Sequence, residues 1–157
     1  MVILGVDFGD RRTGLAVSDS SEFLSSGLCT VTAEGRRALA EKIAGIARER
    51  GCEKIVMGLP LNMDGSAGER AERVRIFGGI LSEVTGLSVE YMDERCTTVQ
   101  AHEYLNSSNR RGKKRKNVID TLSAQIILQD YLDNRKNTKK SLSLNFALIR
   151  NERKIIP

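Results

Sequence analysis

The chain has no tryptophan, one histidine, three cysteines and only 4% aromatic residues in 157. Each shortage removes a class of chemistry. With His102 alone, a histidine-based metal cage or a Ser-His-Asp triad has too little material. Cys29, Cys52 and Cys96 are odd in number and widely spaced, and none forms a CxxC pair. That argues against a disulfide framework and a thiolate metal centre, and it fits a reducing cytoplasm. So few aromatics make extended base stacking a poor main mode of binding. No apolar run approaches the roughly 20 residues needed to span a bilayer, so no membrane association is expected. Met1-Val-Ile-Leu-Gly5 reads as a strand beginning at once, not as a signal peptide. The expectation is a single cytoplasmic domain, long enough to bury a core without disulfides.

What the chain does have is positive charge concentrated in two places. Residues 1–108 hold twelve Lys/Arg against sixteen Asp/Glu. Asn109–Lys116 then holds six basic residues and no acid, and the tail from Arg135 holds seven basic residues and one Glu. Such segments suit a polyanion, although a solvated surface gives the same composition.

Hydropathy patterning gives the order of elements. Val2–Phe8 and Gly14–Val17 are apolar runs around the turn-rich Gly9–Thr13, which predicts a hairpin. Leu28–Thr32 is a third strand. Leu39, Ile43, Ile46 and Ala47 have helical spacing, closed by Gly51. Lys54–Leu59 is a strand ending at Pro60. Ser66-Ala-Gly-Glu69 fits a capping box for a helix carrying Val74, Phe77, Leu81 and Val84. Leu87–Met92 is the next strand, Thr97–Gln100 fits a second capping box, and Asn117–Asp133 is the last helix. The fold class is α/β. The hairpin comes first and βαβ units follow, which implies right-handed parallel crossovers in a mixed sheet covered by helices. Phe8 and Tyr91 are assigned to the core and His102 to a structural place on a short helix.

The residues with chemical promise are acids. On a strand, Asp7 shares a face with Ile3 and Gly5. A carboxylate on a central strand is costly unless it is paired or metal-bound; the alternative is an Asp bonded to the turn. Asp93-Glu94 ends a parallel strand, where ligands of open α/β sheets gather. The two point to opposite faces, so one of them reaches a site, and the other roles open to them are pairing with Arg95 or offsetting a helix dipole. Asp120 shares a helix face with Ala124, Ile127 and Tyr131, which turns it inward, unless it merely favours the helix dipole. Carboxylates on separate elements, without useful His or Cys, suggest hard oxygen ligation, so Mg²⁺ or Mn²⁺ rather than zinc.

Four stretches go further. Asp7-Phe-Gly-Asp-Arg-Arg-Thr-Gly-Leu-Ala-Val-Ser-Asp19 closely resembles the opening motif of the YqgF/RuvX family of RNase H-like nucleases. So do Gly58-Leu-Pro-Leu-Asn-Met-Asp-Gly65, Asp93-Glu-Arg-Cys-Thr-Thr98, and Asp120 followed by Ile127-Ile-Leu-Gln-Asp-Tyr-Leu132. The resemblance covers residues 1–134. It implies a ribonuclease H-like fold with a mixed five-stranded sheet, and a metal-dependent phosphodiesterase whose metal ligands and catalytic acids are Asp7, Glu94 and Asp120. The family is linked to maturation of the 5′ end of 16S ribosomal RNA precursor, and was earlier proposed to resolve Holliday junctions. The implied partner is structured precursor rRNA or branched DNA. The tail, 135–157, extends beyond the usual family length and forms a basic extension.

Substrate contacts are expected from Arg11 and Arg12 in the hairpin turn and from Asn62 beyond a parallel strand. Turn chemistry explains these residues equally well. Arg110, Arg111, Lys113, Lys114 and Lys116 are expected to form a mobile loop that clasps phosphates. In the tail, Leu142, Leu144, Phe146 and Leu148 alternate with smaller residues, the period of a strand. That strand would dock on its own domain or pair with a second copy in a homodimer. Two other function classes compete: a non-catalytic RNA-binding module, and an actin-like ATP-binding protein. The latter needs a second phosphate loop, and none is present.

Overall fold

The computed structural model describes residues 1–94 and 113–152, with side chains for all of these except 113–120 and 151–152. The expected Thr97–Gln100 cap, the placing of His102, and Arg110 and Arg111 lie outside the described residues.

Strands β1 (Val2–Phe8), β2 (Thr13–Ser18) and β3 (Ser25–Val31) form an antiparallel meander. Helix α1 (Arg36–Glu49) leads to β4 (Cys52–Leu59), and α2 (Glu69–Thr85) leads to β5 (Val89–Asp93). Helix α3 (Lys113–Glu152) is the last described element. The sheet order is β3-β2-β1-β4-β5, and β4 runs parallel to both β1 and β5. The expected mixed sheet of five strands is therefore found.

β1 lies at the centre with both faces covered, which explains its nearly unbroken apolar sequence. Leu4 and Val6 face α1 and α2, together with Leu15, Ile55, Met57, Ile43, Phe77 and Leu81. Ile3 faces the other way, with Ala16, Val56 and the α3 residues Ala124, Ile127, Leu128 and Leu132. Burial of these wholly enclosed side chains contributes roughly 1.5–3 kcal/mol each against an extended chain.

Glycine lets α3 press against the sheet. A β-carbon on Gly5 would lie 2.8 Å from Leu128 Cβ, and one on Gly27 would lie 2.5 Å from Thr121 Cγ2. Gln125 and Gln129 fasten the same helix to the edge strand β3. Ser25 N–H donates to Gln129 Oε1 at 2.9 Å, and Ser25 Oγ donates to the Gln125 carbonyl at 3.0 Å.

Four expectations need correction. The Ser66–Glu69 capping box does not form: α2 starts from Gly68 without a side-chain cap, and Ser66 instead bonds Asp64 and Asn62 within the loop. Tyr91 is 38% exposed rather than in the core, while Phe8 stacks on Phe77 with centroids 4.4 Å apart. The last helix is far longer than 117–133. It takes in Lys113, Lys114 and Lys116, which stand in its first turns and not in a loop. It also takes in the tail, so Leu142–Leu148 is helix and cannot add a strand to a sheet edge. The alternation that suggested a strand also places Leu142, Phe146 and Ile149 at i, i+4 and i+7, and on this segment the helical period prevails. Among the described residues nothing covers those side chains, which are all about half exposed or more.

Candidate active site

The sheet register brings the chemistry together at one end of β1. Val6 pairs with Met57, so the next residue on each strand, Asp7 and Gly58, are level. Gly58 in turn pairs with Met92 of β5, two residues before Glu94. β1 therefore carries Asp7 on the face covered by α3, as the strand alternation predicts from Ile3. The backbone N–H of Glu94 donates to the Leu59 carbonyl at 3.2 Å, which carries the parallel pairing with β4 one residue past β5. The Glu94 carboxyl is seated directly over Gly58, where a β-carbon would collide with it and with Ile127 Cδ1. Glycine is the residue that leaves this space open.

Glu94 is partly buried and surrounded by charge. Its pKa is pushed up to about 7, first by burial and then by the negative charge of Asp7, with a smaller push from Asp93; Arg70 on α2 opposes them. Asp7 and Glu94 thus form an interacting pair of acids beneath α3. Of Asp93 and Glu94, the latter is the one seated over β4. Asp120 lies in α3 one turn before Ala124, the residue that abuts Gly5; its side chain is not among those described. Among the described residues no group of three or more His, Cys, Asp or Glu stands close enough to hold a metal ion.

The donor set nonetheless fits a hard divalent cation. A carboxylate whose proton affinity is raised by burial and by a neighbouring acid is relieved by a cation beside it. Among the described residues thiolate ligation does not compete, because burial raises the pKa of Cys29 and pushes that of Cys52 up to about 11.

The expected substrate residues divide. Arg11 is exposed in the β1–β2 turn, beside Asp10. Arg12 is half-buried in the same turn. Asn62 is exposed but committed to its own loop: its amide donates to Ser66 Oγ at 3.0 Å and its N–H to the Ser66 carbonyl at 2.9 Å. Arg135 and Lys139 of the tail both pair with Glu22, at 3.4 and 3.9 Å, so these two charges are turned towards the domain. Sequence reading missed Arg70 and Arg73, one turn apart at the start of α2. Their i, i+3 spacing after a Pro-ended strand was the available signal.

Residues 1–134 match the family model described as RuvX, Holliday junction resolvase. A protein of Pelotomaculum thermopropionicum is 40% identical over 141 residues, covering 89% of this chain and 92% of its own length. One of Caldanaerobacter subterraneus subsp. tengcongensis is 44% identical over 140 residues, covering 88% and 100%. Both are provisionally named pre-16S rRNA nucleases. Among solved structures, T. thermophilus RuvC in complex with Holliday junction substrate aligns with a TM-score of 0.55 at 15% identity, over 88% of this chain and 97% of that one. The fowlpox virus resolvase in complex with substrate Holliday junction DNA aligns at 0.54 and 10% identity, over 85% and 98%. At such identities the likeness speaks for the fold, which is ribonuclease H-like.

Proposed function

Because this chain belongs to the RuvX family, we propose that it is a metal-dependent nuclease that hydrolyses phosphodiester bonds while maturing the 5′ end of 16S ribosomal RNA precursor in the cytoplasm. The observation that carries this reading is the Glu94 carboxyl seated over Gly58 and raised by Asp7. An acid pair kept partly dry at the end of a central strand costs stability, and a cation-dependent reaction accounts for it.

Asp7, Glu94 and Asp120 would hold Mg²⁺ or Mn²⁺. Such ions lower the pKa of water and offset charge on phosphoryl oxygens. The chain's own residues do the rest. Asp7, fixed by its place on β1, keeps a carboxylate facing α3. Glu94, whose proton affinity is raised in the metal-free chain, would give up that proton to a bound cation, so that metal binding and deprotonation are coupled at this position. Arg70 supplies positive charge beside Glu94, where a phosphate would enter. Ile127 and Leu128 close the floor of the site with apolar surface and limit water there. Basic residues outside the acid pair, Arg11, Arg12 and the Lys113–Lys116 turn, would bind backbone phosphates without reading sequence.

Cleavage mapping on a precursor 16S fragment, with and without Mg²⁺, tests the proposal. Wild type should cut near the mature 5′ end only with metal, and Asp7→Asn should bind the RNA yet not cut it. Cutting by Asp7→Asn at the wild-type rate would overturn the site. A second reading, junction resolution, is favoured by the description of the family itself. Faster metal-dependent cutting of a four-way DNA junction than of the precursor RNA would establish it instead.

A further inference from the structure

A pocket of about 200 Å³ opens at the same end of β1 as the acid pair, but on the other side of the sheet, under α1 and α2. It is bordered by the β1–β2 turn, the segment between β3 and α1, and Arg73 of α2. Its features converge on a negatively charged ligand. Thr13 is wholly buried in its wall, yet its Oγ1 has no hydrogen-bond partner among the described residues. Arg73 Nε is likewise buried and unpartnered among them, although Arg73 Nη1 reaches Asp10 Oδ1 at 3.1 Å. A buried polar group left in that state costs about 1–3 kcal/mol, so two such donors in one wall need an acceptor.

The remaining wall has the matching charge. Arg11 and Arg36 line it with Arg73, against the single carboxylate of Asp10, which Arg73 already engages. Helix α1 begins at this pocket. Its N-cap is Gly35, no side chain caps it, and its first turn has no acid. The first N–H groups of a helix lack partners within the helix and form the positive end of its dipole. Arg36 adds more positive charge there, while Arg37 is turned to Glu41 and Glu83 at 4.0 and 3.8 Å.

We propose that this pocket binds a phosphoryl group, with the Thr13 hydroxyl and Arg73 Nε–H as buried donors and Arg11, Arg36 and the start of α1 supplying charge around them. Two sources fit the chemistry. One is a backbone phosphate of the nucleic-acid strand that reaches the acid pair. Gly9, Asp10 and Arg73 also border an adjoining cleft that extends to Pro60 and Arg70, the arginine that acts on Glu94. The other source is a free phosphate-bearing molecule. The pocket itself does not depend on whether the acid pair cleaves.

The test uses the full chain freed of metal with EDTA. Inorganic phosphate is titrated in calorimetry and in thermal melts, against sodium chloride at equal ionic strength. Wild type should bind phosphate saturably and melt higher in it. Thr13→Val keeps the shape and removes only an unpartnered hydroxyl, so it should fold and should bind phosphate about tenfold more weakly or worse, the worth of a hydrogen bond to a charged group. The exposed Arg36→Gln should also weaken binding, whereas Asp7→Asn should bind like wild type. An RNA oligonucleotide with hydroxyl ends that displaces the phosphate identifies a strand phosphate as the ligand; one that binds without displacing it identifies a free phosphate compound. Absence of saturable binding, or equal binding by wild type, Thr13→Val and Arg36→Gln, overturns the proposal. So does loss in Asp7→Asn with retention in Thr13→Val, which would put the phosphate at the acid pair.

Discussion

The Glu94 carboxyl occupies the space that a side chain on Gly58 would need. The two positions are thirty-six residues apart, one just past β5 and the other within β4. A methyl group at 58 would have to displace either the acid or Ile127. Gly58→Ala should therefore cost about 1–3 kcal/mol, as overpacking does, and should lose cleavage out of proportion to that cost. Thermal melts and a cleavage assay on one preparation check this. Full activity in Gly58→Ala would show that Glu94 need not sit where it does.

The stability of the metal-free protein should fall as pH rises through the neutral range. The folded chain holds the Glu94 proton to about pH 7, against an ordinary 4.5. Below the ordinary value both folded and unfolded states are protonated and Glu94 has no effect. Between the two values the unfolded state releases its proton first, so stability declines; above the folded value the whole cost is present, up to about 3 kcal/mol. Glu94→Gln should remove this decline and melt higher than wild type at pH 8, although it should lose cleavage. Parallel pH profiles for the two proteins would contradict the assignment.

Neutralising Lys113, Lys114 and Lys116 together should flatten the salt dependence of RNA binding. Each backbone phosphate that is no longer engaged lowers the slope of log K against log salt by about 0.7–0.9. The measurement is a binding series from low to moderate salt. An unchanged slope would mean that this first turn of α3 does not touch the backbone.

Ending the chain after Lys140 should hardly change stability. Residues 141–150 are exposed throughout, and the Glu22 pairs with Arg135 and Lys139 survive the cut. A melting shift under about 2 °C is expected, as for surface changes away from packed features. A larger drop would reveal a packing partner for the outer helix.

Legibility from sequence followed burial. β1, β2, β4, α1 and α2 were readable within a few residues because each buries a periodic face: Leu39, Ile43 and Ala47 on α1, or Leu4 and Val6 on β1. Gly51 and Gly86 end their helices with φ of +66° and +71°, a conformation glycine adopts freely. Position 142 onward failed for the opposite reason. With no described residue packed on it, the alternation of Leu142, Leu144 and Phe146 had no surface to answer to, and the segment continues the helix that packs on the sheet further up the chain. At the site, Asp7 and Glu94 could be found from strand ends and motifs. Thr13 could not, since its interest lies in a missing partner, which only three-dimensional packing reveals.

Helix α3 also bears on how its outer half comes to exist. An isolated peptide of that size is marginal as a helix in water, because starting the first turn fixes several residues for a single hydrogen bond. The segment from Thr121 to Leu132, clamped on the sheet, has already started it. Each residue after Asn134 then adds to an existing end and escapes the nucleation penalty. The tail is helical by propagation from the core, so its order should fade towards the C-terminus, and the same sequence cut free as a peptide should be largely coil.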